Sequence, residues 1–329
     1  MRYLEKIKTS GIGGYFELEL PQASHSLFSK FSRFQSARAA FFALLQAEKP
    51  NRVWIPNYIC NAMIDPLQKL NIAHSFYSIG NQFEINSDIE LQDNDLLLYV
   101  NYFGICGEQV DVLLRRFSPS QIVFDYSQAF FSPPNPQALA TIYSPRKFFG
   151  VPDGGLLYCQ KTIQMPFEHD TTSIYRTDHL LQRLAISSEA GYGAYKKAEA
   201  ALSAEFEPRK MSHLSERILF SIDFDSAHEK RKQNFSTLQS LLPKNDPFLV
   251  NYNYHFSPLC YPYFSSNKEL RQNLINNNIY IPTYWNDAIS RLDEKSIKRY
   301  ITGLHAIPID QRYGSPEMEF IASIINKYN

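Results

Sequence analysis

Two short runs constrain the fold of this chain more than any other feature. Residues 95–101, Asp-Leu-Leu-Leu-Tyr-Val-Asn, and 121–125, Gln-Ile-Val-Phe-Asp, are almost continuously apolar. They lack the polar alternation of a strand with one wet face. A strand apolar on both faces belongs in a parallel sheet covered by helices. The neighbouring segments keep the matching rhythm. Residues 34–46 predict a helix, with Ser36 as N-cap ahead of an alanine-rich run. Residues 52–56 predict a strand ended by Pro56, and 60–70 a helix that Pro66 kinks or delays. A strand is expected over 73–79, a helix over 110–117, and two further strands over 138–143 and 156–159. Strand–helix alternation of this kind predicts the α/β class with a mainly parallel sheet.

Past residue 160 the signals are helical to about residue 226, with charged faces such as that of 196–202. An amphipathic helix is expected over 228–242, ended by Pro243. Strands over 256–262, 279–282 and 305–309 then alternate with helices over 268–276, 297–304 and 316–327. The chain of 329 residues is longer than one small core requires. We expect a large domain over 1–227, whose first stretch is an arm closing as a short strand near Leu20, and a smaller α+β domain over 228–329.

Charge removes several function classes. Lysine and arginine number 33 against 33 acidic residues, so nothing favours nucleic acid or an anionic membrane. No apolar run reaches the roughly 18 residues of a membrane span. The first residues lack an apolar core and a small-residue cleavage site, so no signal peptide is expected. Cys60, Cys106, Cys159 and Cys260 are far apart in apolar contexts, which suits reduced thiols and a cytoplasmic location. The eight histidines form no i, i+4 pair, and no metal site is expected.

In parallel sheets ligands bind beyond the carboxyl ends of the strands. Pro56-Asn57-Tyr58, Asn101-Tyr102 and Asp125 fall at such ends. Lys147 lies beyond another, on a connection bounded by Pro145 and by Pro152-Asp-Gly-Gly155. Apolar walls there would desolvate its amine and make it a covalent anchor. The helix start at Ser36-Ala37-Arg38 offers backbone amides, a hydroxyl and a positive dipole end, which suit a phosphate. Each piece also has a plainer reading. Ser36 caps its helix, Asp125 caps the next turn, Arg38 is a salt-bridged surface residue, Gln128 is a loop amide, Tyr58 is core, Cys60 is a small buried hydrophobe and Lys147 is solvated. Taken together, a phosphate site, a carboxylate for a ring nitrogen and an anchoring lysine are what pyridoxal 5'-phosphate requires.

The same segments resemble the DegT/StrS-type sugar aminotransferases, a branch of the fold-type-I pyridoxal-phosphate enzymes. The resemblance rests on Gln35-Ser-Ala-Arg-Ala-Ala, Ile55-Pro-Asn-Tyr-Ile-Cys60, Asn101-Tyr-Phe-Gly104, Asp125-Tyr-Ser-Gln-Ala129, Ser144-Pro-Arg-Lys-Phe-Phe-Gly-Val-Pro-Asp-Gly-Gly155 and Ile307-Pro-Ile-Asp-Gln-Arg-Tyr313. It implies a mainly parallel seven-stranded sheet between helices. It makes Lys147 the Schiff-base lysine and Asp125 the partner of the pyridine nitrogen, and puts Gln128 near the phenolic oxygen. Ser36 and the amides of Ala37 and Arg38 would hold the phosphate, with Ser144 beside them. The ring-covering position, commonly aromatic, falls at Cys60, which leaves Tyr58 as the expected ring cover. The resemblance implies a homodimer. In relatives an asparagine-containing segment reaches the neighbouring subunit's phosphate; Pro208-Arg-Lys-Met-Ser212 stands there instead, so Arg209 and Lys210 are candidates for that contact. The implied reaction moves an amino group from an amino acid, glutamate by resemblance, to a keto sugar on a nucleotide. Arg176, Thr177, His179, Arg183, Tyr192 and Tyr195 are candidates for that acceptor, or else a solvated helix face. Rival readings are a dehydratase, an amino-acid aminotransferase, or a non-catalytic binding protein on the same fold.

Overall fold

The structure is a computed structural model that describes residues 13–21, 29–205, 207–243 and 256–328. Seven strands form the main sheet: β1 (Ser32–Phe34), β2 (Arg52–Pro56), β3 (Ala73–Tyr77), β4 (Asp95–Val100), β5 (Ile122–Asp125), β6 (Ala140–Tyr143) and β7 (Gly155–Cys159). Their spatial order is β1-β7-β6-β5-β4-β2-β3. β3, β2, β4, β5 and β6 run parallel, and β7 lies antiparallel between β6 and β1. The two constraining runs become β4 and β5, every residue of which is buried. Register places Val100 beside Asp125, and Asp125 beside Ile142, so three strands end at one edge.

The order reverses at β2. The chain steps from β2 out to β3, returns to β4 on the other side of β2, and then proceeds to β5 and β6. A cleft opens at such a reversal because successive connections diverge to opposite sides of the sheet. The helix Ala37–Glu48 begins at the Ser36 cap, whose hydroxyl accepts a hydrogen bond from the Ala39 amide at 3.1 Å. Its interior residues 39–45 are all buried. Proline divides the segment expected as one helix over 60–70. A 3-10 turn, Asn61–Met63, precedes a short helix, Asp65–Lys69, that carries Pro66 in its first turn, where no amide hydrogen is needed.

β8 (Cys260–Phe264) and β9 (Leu304–Pro308) form a separate antiparallel pair. The helices Phe224–Leu241, Leu270–Asn276 and Ser315–Tyr328 complete this region. The boundary expected between 227 and 228 falls inside the first of these helices. Its Phe224 ring packs on Phe130 and Phe149 at 5.6 and 5.1 Å, while its Asn234 amide donates to the carbonyls of Ile309, Asp310 and Tyr313. The helix therefore ties the two regions together.

Two expected strands are absent. Residues 279–282 form no strand: their backbone runs without a sheet partner into the turn before Asn286–Arg291. Residues 16–20 have no regular structure and expose Phe16 and Leu18, and the start of the expected arm lies outside the described residues. Conversely β1, three residues long, carried no strand signal. Among the described residues no helix is long and apolar enough to cross a membrane, and no cluster of metal-ligating side chains occurs.

Candidate active site

The site is assembled by three backbone junctions. The first joins the Ser36 helix start to the Lys147 connection. The Gly154 amide donates to the Gln35 carbonyl at 2.7 Å, and Ser36 bridges to Gly154. Gly154 has φ 146°, and a β-carbon on Gly155 would lie 2.5 Å from the Ala37 nitrogen and closer still to the Ser36 carbonyl. Only glycine lets the two backbones meet this closely. Asp153, fully buried, then accepts from the Ser212 amide and from the hydroxyls of Ser212 and Ser215. Burial pushes its carboxyl above the usual range, and these hydrogen bonds oppose the rise.

The second junction lies between β4 and β5. Asp125 is buried at the end of β5, and its carboxylate accepts from the Ser127 amide at 2.8 Å. That is its one protein hydrogen bond among the described residues. Gln128 is fully buried. Its Oε1 accepts from the Phe103 amide at 2.9 Å, which fixes the carboxamide, and its Nε2 is buried without a protein partner among the described residues. A buried donor left unpaired costs about 1–3 kcal/mol unless something else accepts from it. The Phe103-Gly104 turn it holds has φ of 55° and 80° at those two residues.

The third junction brings the C-terminal region over the first two. Arg291 donates to the carbonyls of Asn57 and Ile59 and to the Asn61 side chain, and Asp287 accepts from the Asn61 amide at 2.5 Å. The loop ending in Cys60 is thereby clamped by residues 285–291. Desolvation pushes the Cys60 thiol up to about 11; the Lys147 ammonium opposes this, and the Asp125 carboxylate adds to it. Cys60 thus lies within the electrostatic reach of both groups. Lys147 is itself exposed, so the apolar enclosure expected around its amine is restricted to one wall: its Nζ stands 5.9 Å from the centre of the Trp285 ring. Ser144 follows β6 as the cap of the turn Pro145–Lys147, and its carbonyl accepts from the Lys147 amide at 3.2 Å.

Some expected roles do not survive the geometry. Tyr58 is fully buried, stacked on Tyr102 and Tyr300 at 5.8 and 4.9 Å, with its hydroxyl on the carbonyls of Tyr284 and Tyr300. Its ring is packed into the core and has no face left for a ligand. Arg176 is buried in ion pairs with Asp170 and Glu205, which is a fold-holding role rather than an acceptor site. The Arg38 side chain turns to the Ser203 carbonyl and Asp65, so only its backbone bears on the helix start. Arg209 pairs with Glu205 at 3.4 Å, and its backbone exchanges two hydrogen bonds with Gln35. Lys210 bridges to Phe34 and His169. Tyr192 and Tyr195 are exposed and stacked at 6.3 Å, His179 meets the edge of Tyr195, and Arg183 reaches the Tyr313 hydroxyl.

No family model matches the sequence, and no curated protein matches it. Solved structures do. The Streptococcus pneumoniae protein Spr1654, described as a sugar aminotransferase, matches at 13% identity with a TM-score of 0.62, over 99% of this chain and 93% of that one. Its PLP form matches over 100% and 96%, with a TM-score of 0.61 and 13% identity. Helicobacter pylori PseC, an aminotransferase involved in the biosynthesis of pseudoaminic acid, matches at 15% identity with a TM-score of 0.60, over 95% of this chain and 93% of that one. From end to end, with its mainly parallel seven-stranded sheet, the chain has the fold-type-I fold of these sugar aminotransferases.

Proposed function

We propose that the chain is a pyridoxal-phosphate-dependent aminotransferase that moves an amino group from an amino acid, glutamate by its resemblance, to a nucleotide-linked keto sugar. The observation that carries this reading is the buried Nε2 of Gln128, unpartnered among the described residues, three positions after Asp125 at the carboxyl edge of the sheet. The residues present fit the cofactor. Ser36 and the start of the helix Ala37–Glu48 would take its phosphate, because a helix start leaves amides without intrahelical acceptors. Asp125 would hold the proton on its pyridine nitrogen, Gln128 Nε2 would donate to its phenolic oxygen, and Lys147 would anchor it covalently. When bound, the cofactor supplies an electron sink for the negative charge that develops at the substrate carbon.

The chain's own residues would do the rest. Lys147, exposed and without a carboxylate partner among the described residues, is free to carry a proton between the two faces of the transfer. The burial of Asp125 keeps water from competing for its charge. The exposed pair Tyr192–Tyr195 with His179 is the acceptor surface we favour, since an aromatic face with a hydroxyl suits a sugar or nucleobase. Because Arg209 is already paired with Glu205, Lys210 is the better candidate for a contact with a second subunit's phosphate in a homodimer. A cytoplasmic location fits the four unpaired cysteines.

The test is to load purified protein with pyridoxal phosphate, add glutamate, and follow the cofactor absorbance. A shift to the amine form, reversed by a keto sugar nucleotide, supports the reading. A shift reversed only by small keto acids would make this an amino-acid aminotransferase.

A further inference from the structure

Trp285 joins the site from a part of the chain that carried no sequence signal for it. Its backbone is left-handed, with φ 57° and ψ 54°, a conformation that a bulky residue adopts only where its surroundings over-determine it. Those surroundings are the Asp287 and Arg291 contacts to the loop ending in Cys60. The indole is nine-tenths buried, edge-on to Tyr58 at 4.8 Å and to Tyr102 at 5.6 Å. It is also the aromatic ring that meets the Lys147 ammonium. Cys60, at the position where an aromatic cover was expected, offers a small thiol, and Tyr58 is locked in the core.

We propose that Trp285 supplies the aromatic wall of the cofactor site, brought from the C-terminal region to the place that Cys60 leaves open. The inference rests on the pyridoxal-phosphate reading and deepens it. Before loading, the indole face holds the Lys147 ammonium by a cation–π contact. On loading, the same face is presented to the pyridine ring, where an aromatic contact adds affinity beyond burial. The clamp of residues 285–291 on the Cys60 loop then makes cofactor binding and the docking of the C-terminal region one event.

The chain has two tryptophans, so this can be read directly. In a Trp54→Phe background the emission comes from Trp285 alone. Titration with pyridoxal phosphate should extinguish that emission in step with covalent loading, measured separately by absorbance. Trp285→Asn keeps a residue that tolerates the left-handed backbone and removes the ring. It loses a buried indole packed on Tyr58 and Tyr102, so it should melt below the parent, and its folded form should bind the cofactor about tenfold more weakly, whereas Trp285→Phe should restore most of the affinity. Normal loading with undiminished Trp285 emission, or an Asn variant that binds as tightly as the parent, would overturn the proposal and leave the aminotransferase reading standing. Absence of loading in every variant and in the parent would overturn both. If the Asn variant does not fold, the emission titration decides alone.

Discussion

Gly155 and Ser36 are in such close backbone contact that the glycine has no room for a side chain. The contact fuses the start of the helix Ala37–Glu48 to the connection that carries Lys147, two segments more than a hundred residues apart. Gly155→Ala must separate them. It should lower unfolding stability by at least about 2 kcal/mol, as over-packing of backbone does, and should weaken cofactor binding further than Gly193→Ala, whose β-carbon meets open space. Denaturant midpoints and cofactor titration of the two variants check this.

Asp125→Asn keeps an oxygen for the Ser127 amide and removes the charge. The fold should persist, while the ring nitrogen loses its buried counter-charge. Turnover should fall on the order of several kcal/mol in barrier, by analogy with other broken charge pairs, with little change in the melting temperature. Unchanged turnover in single-turnover kinetics would remove Asp125 from the chemistry.

Arg231 is a buried cation behind the Lys147 turn. Its guanidinium lies over the Phe148 ring at 4.7 Å and donates to Gln311 and to the carbonyls of Pro258 and Leu259, while Gln311 donates to the Phe148 carbonyl. Burial pulls its pKa down to about 10, with Asp310 opposing. Arg231→Met takes the donor from those carbonyls and from the Gln311 Oε1, so it should cost about 3 kcal/mol in denaturant unfolding. Arg231→Lys should recover only part, since it lacks the forked donors.

His305 sits buried on β9 with Nε2 unpartnered among the described residues. Burial, and then Arg271, lower its pKa to about 4 from the ordinary 6.5. The folded state therefore binds fewer protons than the unfolded state between those values. Stability is full above about pH 6.5 and falls as pH drops toward 4, by up to a few kcal/mol. His305→Phe should flatten that part of the stability profile measured by urea unfolding at each pH.

The sheet was legible because β4 and β5 are short runs apolar on both faces, and a chain has few other ways to bury them. The Ser36 cap and the Gly154-Gly155 turn were legible because cap and turn chemistry is local. Tyr58 was misread because a tyrosine at a strand end looks the same whether its ring meets a ligand or, as here, is sandwiched between Tyr102 and Tyr300. Arg176 was misread because its burial against Asp170 and Glu205 comes from how the turn Ser173–Arg176 folds back, which an arginine in a polar stretch does not announce. Trp285 was missed because its role depends on a left-handed backbone and on a clamp to residues more than two hundred positions earlier, and neither leaves a periodic trace. The strand expected over 279–282 failed because the apolar alternation of Ile279 and Ile281 is satisfied by burial against the core, without a sheet partner among the described residues.

The account turns on Lys147 as the covalent anchor. Protein loaded with pyridoxal phosphate, reduced with borohydride and digested, should yield one pyridoxyl-labelled peptide, and fragmentation should place the label on Lys147. Lys147→Ala should give none while still folding. A label on any other lysine, with Lys147 recovered unmodified, would contradict the account.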